Sequence, residues 1–147
     1  MATIKRKLKI NNLEEVFTAV SLINNIPGHG HAYELNKVMY IIKPLIEGFH
    51  NRLNEAKTPF LMKDENGVIL KFAAKTGEIA DEKTPENEIG GRFIKDKLDE
   101  VNIMLSKFRN EIFEVELEQL DENKIKKVFK NSKFEGVDFS ALFGVII

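Results

Sequence analysis

One long apolar stripe constrains this chain more than any other feature of its sequence. Between about Ala32 and Lys57, apolar side chains recur every three or four residues: Leu35, Val38, Met39, Ile42, Leu45, Ile46, Phe49 and Leu53. At 1.5 Å per residue, this spacing predicts a helix of about 39 Å. Pro44 removes one backbone hydrogen bond inside the stripe, so we expect a kink there. The rest of the chain must fold around a helix about as long as one domain is wide.

Two short segments, far apart in the chain, alternate between apolar and charged residues as half-exposed strands do. The charged side is cationic in residues 4–10 and anionic in residues 113–118. The charges have the same spacing in both: Lys5, Lys7 and Lys9, and Glu114, Glu116 and Glu118. One hypothesis is that the strands are neighbours whose opposite charges pair across one face. The alternative is that both charged faces are simply solvated.

The remaining periodicity predicts three further helices. The first begins at Asn12, which can cap free amides while Glu15 reaches back to the cap, and it ends near Asn24. A short basic helix follows Asp121. The other helix is marked by an apolar stripe of Ile94, Leu98, Val101, Leu105 and Phe108.

A hairpin and a long loop are predicted between the two longest apolar stripes. The turn Asp64–Gly67 lies between the apolar runs 60–62 and 68–72, and Gly67 can supply its positive φ. Residues 73–91 are rich in charge and have little apolar periodicity. A loop of this length is usually functional or mobile.

Together these elements predict the α+β class, with a small, mainly antiparallel sheet and three to four helices, one of them long and kinked. The sequence has no internal repeat and no linker-like segment, so we expect a single domain over residues 1–147. There is no Cys, which excludes disulfides and thiolate metal sites. No stretch of 18 consecutive apolar residues predicts a membrane span.

The segment Gly28–His31 contains two histidines and is the strongest indication of a metal site. Zinc needs a third ligand. On the predicted helix His50 lies about 28 Å beyond His31, and Glu34 would complete only a poor, open set. We therefore interpret the segment as a glycine-rich turn at a helix start, and expect neither metal nor cofactor.

No catalytic signature is present, since the chain lacks a nucleophile elbow and a phosphate-binding glycine loop. We expect that the protein is not an enzyme. A net charge of −1 argues against nucleic-acid binding. So does the absence of aromatic residues among the basic ones, which are Lys5, Arg6, Lys7, Lys9, Lys124, Lys126, Lys127, Lys130 and Lys133.

Two excesses of apolar surface predict an interaction surface. Tyr33, Tyr40 and Ile41 lie off the main stripe of the long helix, and the chain stays apolar to its last residue. The C-terminal segment either folds back onto its own subunit or meets another copy or another protein. The predicted surface consists of Tyr33, Tyr40, Ile41, Leu142, Phe143, Ile146 and Ile147.

The order of elements resembles a group of short proteins from tailed bacteriophages and prophages. The resemblance covers residues 10–147 and is one of pattern, carried by Asn12-Leu-Glu-Glu-Val-Phe, Ile26-Pro-Gly, Arg52-Leu-Asn-Glu, Lys63-Asp-Glu-Asn-Gly and Glu111-Ile-Phe-Glu-Val-Glu-Leu. It implies no catalytic residues.

What the resemblance implies is a phage origin. We therefore expect a non-enzymatic phage protein that mediates protein–protein contacts in the particle or its assembly, with another copy of the chain, in a homo-oligomer, as one candidate partner. The alternative is a soluble phage-encoded inhibitor of a host defence or regulatory protein. Either would act in the cytoplasm of the bacterial host, or in the particle, without contacting a membrane.

Overall fold

The structure is a computed structural model that describes residues 3–26 and 30–123, together with residues 142, 145 and 146. Its class is α+β, as the sequence predicts. The helices and strands are β1 (Thr3–Leu8), α1 (Ile10–Asn24), α2 (Ala32–Lys57), β2 (Phe72–Ala73), β3 (Ile89–Gly90), α3 (Leu98–Arg109) and β4 (Phe113–Glu118). Both sheets are antiparallel, and they pair β1 with β4 and β2 with β3.

The chain divides into two compact units. The first comprises Met1–His50 and Arg109–Ile147, and the second comprises Asn51–Phe108. Helix α2 begins in the first unit and ends in the second. That the whole chain behaves as one domain stays a prediction.

In the first unit, β1 and β4 lie side by side, which confirms the pairing hypothesis drawn from their charges. Lys5 is opposite Glu116 and Lys7 is opposite Glu114. The other face of the pair is apolar except for Arg6, which is half-buried between Ile4 and Leu8, and it contributes to the core. Strand β1 ends at Leu8, two residues before the predicted strand does.

The core of the first unit joins both ends of the chain. Leu142 and Ile146 are fully buried in it, and the backbone N–H of Leu120 donates a hydrogen bond to the Ile146 carbonyl. The buried side chains of this core are Leu8, Leu13, Val16, Ala19, Val20, Ile23, Leu35, Val38, Ile42, Val115, Leu117, Leu120, Leu142 and Ile146.

Helix α1 begins at Ile10 rather than at Asn12, so the prediction that Asn12 is the N-cap is wrong. Ile10 is buried, and the removal of this side chain from water favours starting the helix there. Asn12 instead occupies the third helical position, and its side-chain oxygen accepts a hydrogen bond from the Lys9 backbone N–H at 3.2 Å. The asparagine satisfies a free amide, but from inside the helix.

Helix α2 has the predicted bounds. Gly30 precedes it with a φ of +76°, a conformation that glycine adopts without steric cost. The His31 carbonyl accepts the first hydrogen bond, from the N–H of Leu35 at 3.0 Å. The helix continues through Pro44, and the kink at that position stays a prediction.

The predicted hairpin turn is present in the second unit. The Asp64 carboxylate accepts hydrogen bonds from the N–H groups of Asn66 and Val68, at 2.8 and 2.9 Å. Gly67 has a φ of +79°, as the turn requires. The bridge between Lys63 and Ile69 then closes the hairpin.

Residues 73–91, predicted as a long loop, form a series of hydrogen-bonded turns. Strands β2 and β3 pair Phe72 with Gly90 and Ala73 with Ile89. The N–H of Ala74 donates to the Glu88 carbonyl at 2.7 Å, and that of Ala80 donates to the Lys71 carbonyl at 2.9 Å. The segment therefore has its own backbone pairing.

Arg92 fixes this series of turns from one side. Its guanidinium lies 5.2 Å from the centroid of the Phe72 ring and packs directly on Gly77, which has a φ of +73°. A Cβ atom on Gly77 would lie 2.7 Å from Nη2 of Arg92. The backbone conformation therefore favours glycine here, and a Cβ atom would also force the end of the Arg92 side chain to move.

The short basic helix predicted after Asp121 lies outside the described residues, apart from its first residues up to position 123.

Candidate interaction surfaces

The two tyrosines of α2 project from its solvent-exposed face, as predicted. Tyr33 is 58% exposed and Tyr40 is 82% exposed. They are seven residues apart, so they lie two helical turns, about 10 Å, from one another on the same side of the helix. Exposed tyrosines of this kind provide rigid contact area with a polar tip, as is common where proteins bind proteins.

Lys37 lies between these tyrosines and is fixed by two neighbours. Its Nζ atom lies 4.5 Å from the centroid of the Tyr33 ring and 3.2 Å from Oε1 of Glu118. Hydrogen bonding to the Tyr33 side chain, and then to Glu118, raises the pKa of Lys37 above its ordinary value of 10.5. The lysine therefore stays charged and presents a positive group beside the tyrosines.

Glu118 is buried, which corrects its predicted place on the solvated face of β4. The residue is 8% exposed, and its Oε2 atom accepts no hydrogen bond from any residue that the structure describes. The alternation that places Glu114 and Glu116 in solvent fails at the last residue of the strand, where Lys37 of α2 contacts the carboxylate. The lysine compensates for the buried charge.

The other residues of the predicted surface divide into three groups. Ile41 is half-buried and packs against the core of its own unit. Leu142 and Ile146 are fully buried in that core, so the prediction that they belong to an exposed surface is corrected: they cover the subunit's own apolar side chains. Phe143 and Ile147 lie outside the described residues.

A larger set of exposed apolar side chains lies in the second unit, and sequence analysis did not identify it. Val101 is the only buried residue between positions 51 and 108, all of which the structure describes. The large hydrophobic residues that are exposed in this unit are Met62, Val68, Ile79, Ile94, Leu98 and Ile103.

Two of these residues belong to the apolar stripe that predicts α3. Ile94 and Leu98 begin the apolar stripe of α3, but 36% of Ile94 and 45% of Leu98 remain exposed. Ile94 lies beside Phe60, whose carbonyl accepts its N–H at 2.8 Å, and the adjacent residues Leu61 and Phe93 pair in an antiparallel bridge. The stripe is therefore real, but its N-terminal end is only partly covered.

The exposed face of the β1–β4 pair carries charges of both signs. A pocket of about 450 Å³ lies at this strand pair, and its lining takes residues from both faces: Lys5, Arg6, Lys7, Glu114, Val115 and Glu116. Alternating Lys and Glu neutralise one another across the strands, so this face favours neither an anionic nor a cationic ligand. The second half of the predicted basic set, from Lys124 to Lys133, lies outside the described residues.

The two histidines that the structure describes do not share a site. His50 lies 2.7 Å from Oε1 of Glu14, while His31 is buried at the start of α2. Within the described part of the chain, no group of three or more His, Asp or Glu side chains could hold a metal ion. His29 lies outside that part, and the expectation of no metal or cofactor stays a prediction.

Comparison with known proteins returned no match among family models, curated proteins or solved structures. None of the helices in the described residues is both long enough and apolar enough to cross a membrane.

Proposed function

We propose that this protein is a non-enzymatic phage component that acts by binding another protein, in the phage particle or during its assembly. The phage origin rests on the order of sequence elements described above. The binding function rests mainly on the second unit. A unit of this size has few ways to bury apolar surface, and here it buries one side chain completely.

The exposed side chains of this unit support the proposal because a binding partner that covers them would remove their apolar surface from water. Val68, Ile79 and Ile103 are each at least 60% exposed. A partner that covers them would provide the apolar burial that the unit lacks. The series of turns over residues 73–91 presents part of this surface on a hydrogen-bonded frame.

The experiment is to purify particles from infected cells and quantify the chain in them by mass spectrometry. The wild-type chain should be present at a fixed ratio to the other particle proteins. Ile79→Ser with Ile103→Ser should lower that ratio. Ile112→Ser is the matched control, because Ile112 is similarly exposed but lies in the first unit.

A second candidate is a soluble phage-encoded inhibitor of a host defence or regulatory protein, acting in the bacterial cytoplasm. The same apolar surface would then bind a host protein. This candidate predicts that the chain appears early in infection and is absent from purified particles. Salt-dependent retention on heparin or DNA would contradict both candidates, because it would indicate a nucleic-acid partner.

A further inference from the structure

The exposed face of α2 has a regular pattern of side chains. Tyr33, Lys37, Tyr40, Pro44 and Glu47 follow one another at intervals of four, three, four and three residues. At 3.6 residues per turn they lie within about 80° of helix rotation. This is the spacing of a seam along which one helix packs on another.

The seam is accessible over its length. Tyr40, Pro44 and Glu47 are exposed, and Tyr33 is more than half exposed. Lys37 is partly exposed, although its Nζ atom also contacts Glu118. The Oε1 atom of Glu47 lies 4.0 Å from Nζ of Lys43, at the limit of an ion pair, so its carboxylate can accept a closer partner.

The order of residues along the seam is self-complementary. Lys37 and Glu47 are equidistant from residue 42, and so are Tyr40 and Pro44. A twofold axis across the helix at this level places Lys37 of one copy opposite Glu47 of the other, and Tyr40 opposite Pro44. Each contact is then made twice, as in an isologous dimer interface.

The charges favour this antiparallel packing of two α2 helices over a parallel packing. If two copies of α2 packed in parallel, Lys37 would meet Lys37 and Glu47 would meet Glu47, which is repulsive at both positions. In the antiparallel arrangement both charges meet an opposite charge, and the aromatic ring of Tyr40 packs on the Pro44 ring.

We infer that the exposed face of α2 binds the same face of a second copy of this chain, in an antiparallel pair centred at residue 42. The inference extends the proposed protein-binding function by naming one partner. It does not use the exposed side chains of the second unit. The contact involves about four turns of one helix per copy, so we expect a weak dimer that depends on concentration.

The experiment is sedimentation velocity on the full chain over a concentration series reaching about 1 mM, where weak interfaces of this size are populated. The wild-type chain should change from monomer to dimer. Glu47→Lys places two lysines opposite two lysines and should weaken dimerisation about tenfold. Glu15→Lys is the control, since it makes the same charge change on an exposed residue of α1, outside the seam.

A mixing experiment tests the antiparallel register. Lys37→Glu and Glu47→Lys should each dimerise poorly alone, but an equimolar mixture should form a heterodimer, because both pairs in it are attractive. Since Glu at position 37 lies beside the buried Glu118, folding of that variant is checked by circular dichroism. If it does not fold, Tyr40→Ala replaces it and should weaken dimerisation about tenfold by removing the central contact.

A wild-type chain that stays monomeric at every concentration would overturn the inference, as would equal dimerisation of Glu47→Lys and Glu15→Lys. Neither result would bear on the particle experiment, which depends on Ile79 and Ile103. Loss of particle binding by the Ile79 and Ile103 variant would likewise leave the dimer unchanged.

Discussion

Lys7 and Glu114 lie directly opposite each other on β1 and β4, with Nζ and Oε1 3.7 Å apart. Positions 7 and 114 are 107 residues apart in the sequence. The pairing of β1 with β4 therefore joins the two stretches of chain that form the first unit. Both side chains are about three-quarters exposed, so their attraction contributes little free energy. The pair mainly favours one register of the strands, while the apolar face beneath provides the stability.

Charge reversal tests this register. Lys7→Glu should lower the free energy of unfolding by about 0.5 kcal/mol, because it places two carboxylates opposite each other. Glu114→Lys in the same chain should restore part of that loss, and more of it than Glu116→Lys does, because Glu116 is opposite Lys5. Chemical unfolding at low salt measures the difference, and equal rescue by both lysines would contradict the register.

Lys37 should make stability depend on pH in the alkaline range. Its pKa is raised in the folded chain, so the folded state holds the proton more tightly than the unfolded state. The stabilisation is therefore fully present below the ordinary pKa of 10.5 and is lost as the pH rises through the higher folded value. The difference in Tm between the wild-type chain and Lys37→Met should be constant at neutral pH and shrink above pH 10.5.

Tyr33→Phe provides the control for this measurement. The phenylalanine keeps a ring beside Lys37 but removes the side-chain hydrogen bond that contributes most to the raised pKa of Lys37, so the dependence of the Tm difference on pH should become weaker. A Tm difference for Lys37→Met that is independent of pH in both backgrounds would contradict the assignment.

Alanine substitutions at Gly67 and Gly77 distinguish the cost of backbone strain from the cost of steric contact. Both have a positive φ, but a Cβ atom on Gly67 meets nothing within 4 Å, while one on Gly77 meets Arg92. Gly67→Ala should therefore cost about 1 kcal/mol of unfolding free energy from strain alone. Gly77→Ala should cost more, and Gly77→Ala with Arg92→Ala should be less damaging than the sum of the two single changes. Strictly additive costs would show that the arginine does not pack on Gly77.

Leu142 tests whether the C-terminal segment belongs to the core of its own subunit. Because its side chain is fully buried, Leu142→Ala should lower the free energy of unfolding by about 2–5 kcal/mol. Ile112→Ala is the control, because half of Ile112 is exposed and its truncation should change stability by no more than about 0.5 kcal/mol. If both variants unfolded at the wild-type denaturant concentration, the burial of Leu142 would be contradicted.

Local patterns account for the parts of the fold that could be predicted from sequence. The bounds of α2 follow from its apolar stripe, and the turn at Gly67 follows from its position between two apolar runs. The pairing of β1 with β4 could be predicted over a long sequence separation because matched charge spacing and matched apolar faces point to the same register. Each of these features depends on residues close together or on complementary patterns.

The features that could not be predicted depend on tertiary contacts. Glu118 continues the alternation of β4 and yet is buried, because Lys37 of a distant helix contacts it. Ile10 continues the alternation of β1 but begins α1. Leu98 shows the opposite outcome, an apolar residue that is exposed. Periodicity identifies the apolar face of α3 but does not show whether the fold covers that face.

Hydrogen exchange on the free chain tests whether the second unit buries too little apolar surface to be stable alone and depends on a binding partner to cover the rest. Amides near the only buried residue of that unit, Val101 in α3, should exchange at least about 100 times faster than those around Val16 and Val20 in α1, because local opening there exposes little buried surface. Equal protection of α3 and α1 in the isolated chain would contradict this dependence on a partner, since the second unit would then be fully stable alone.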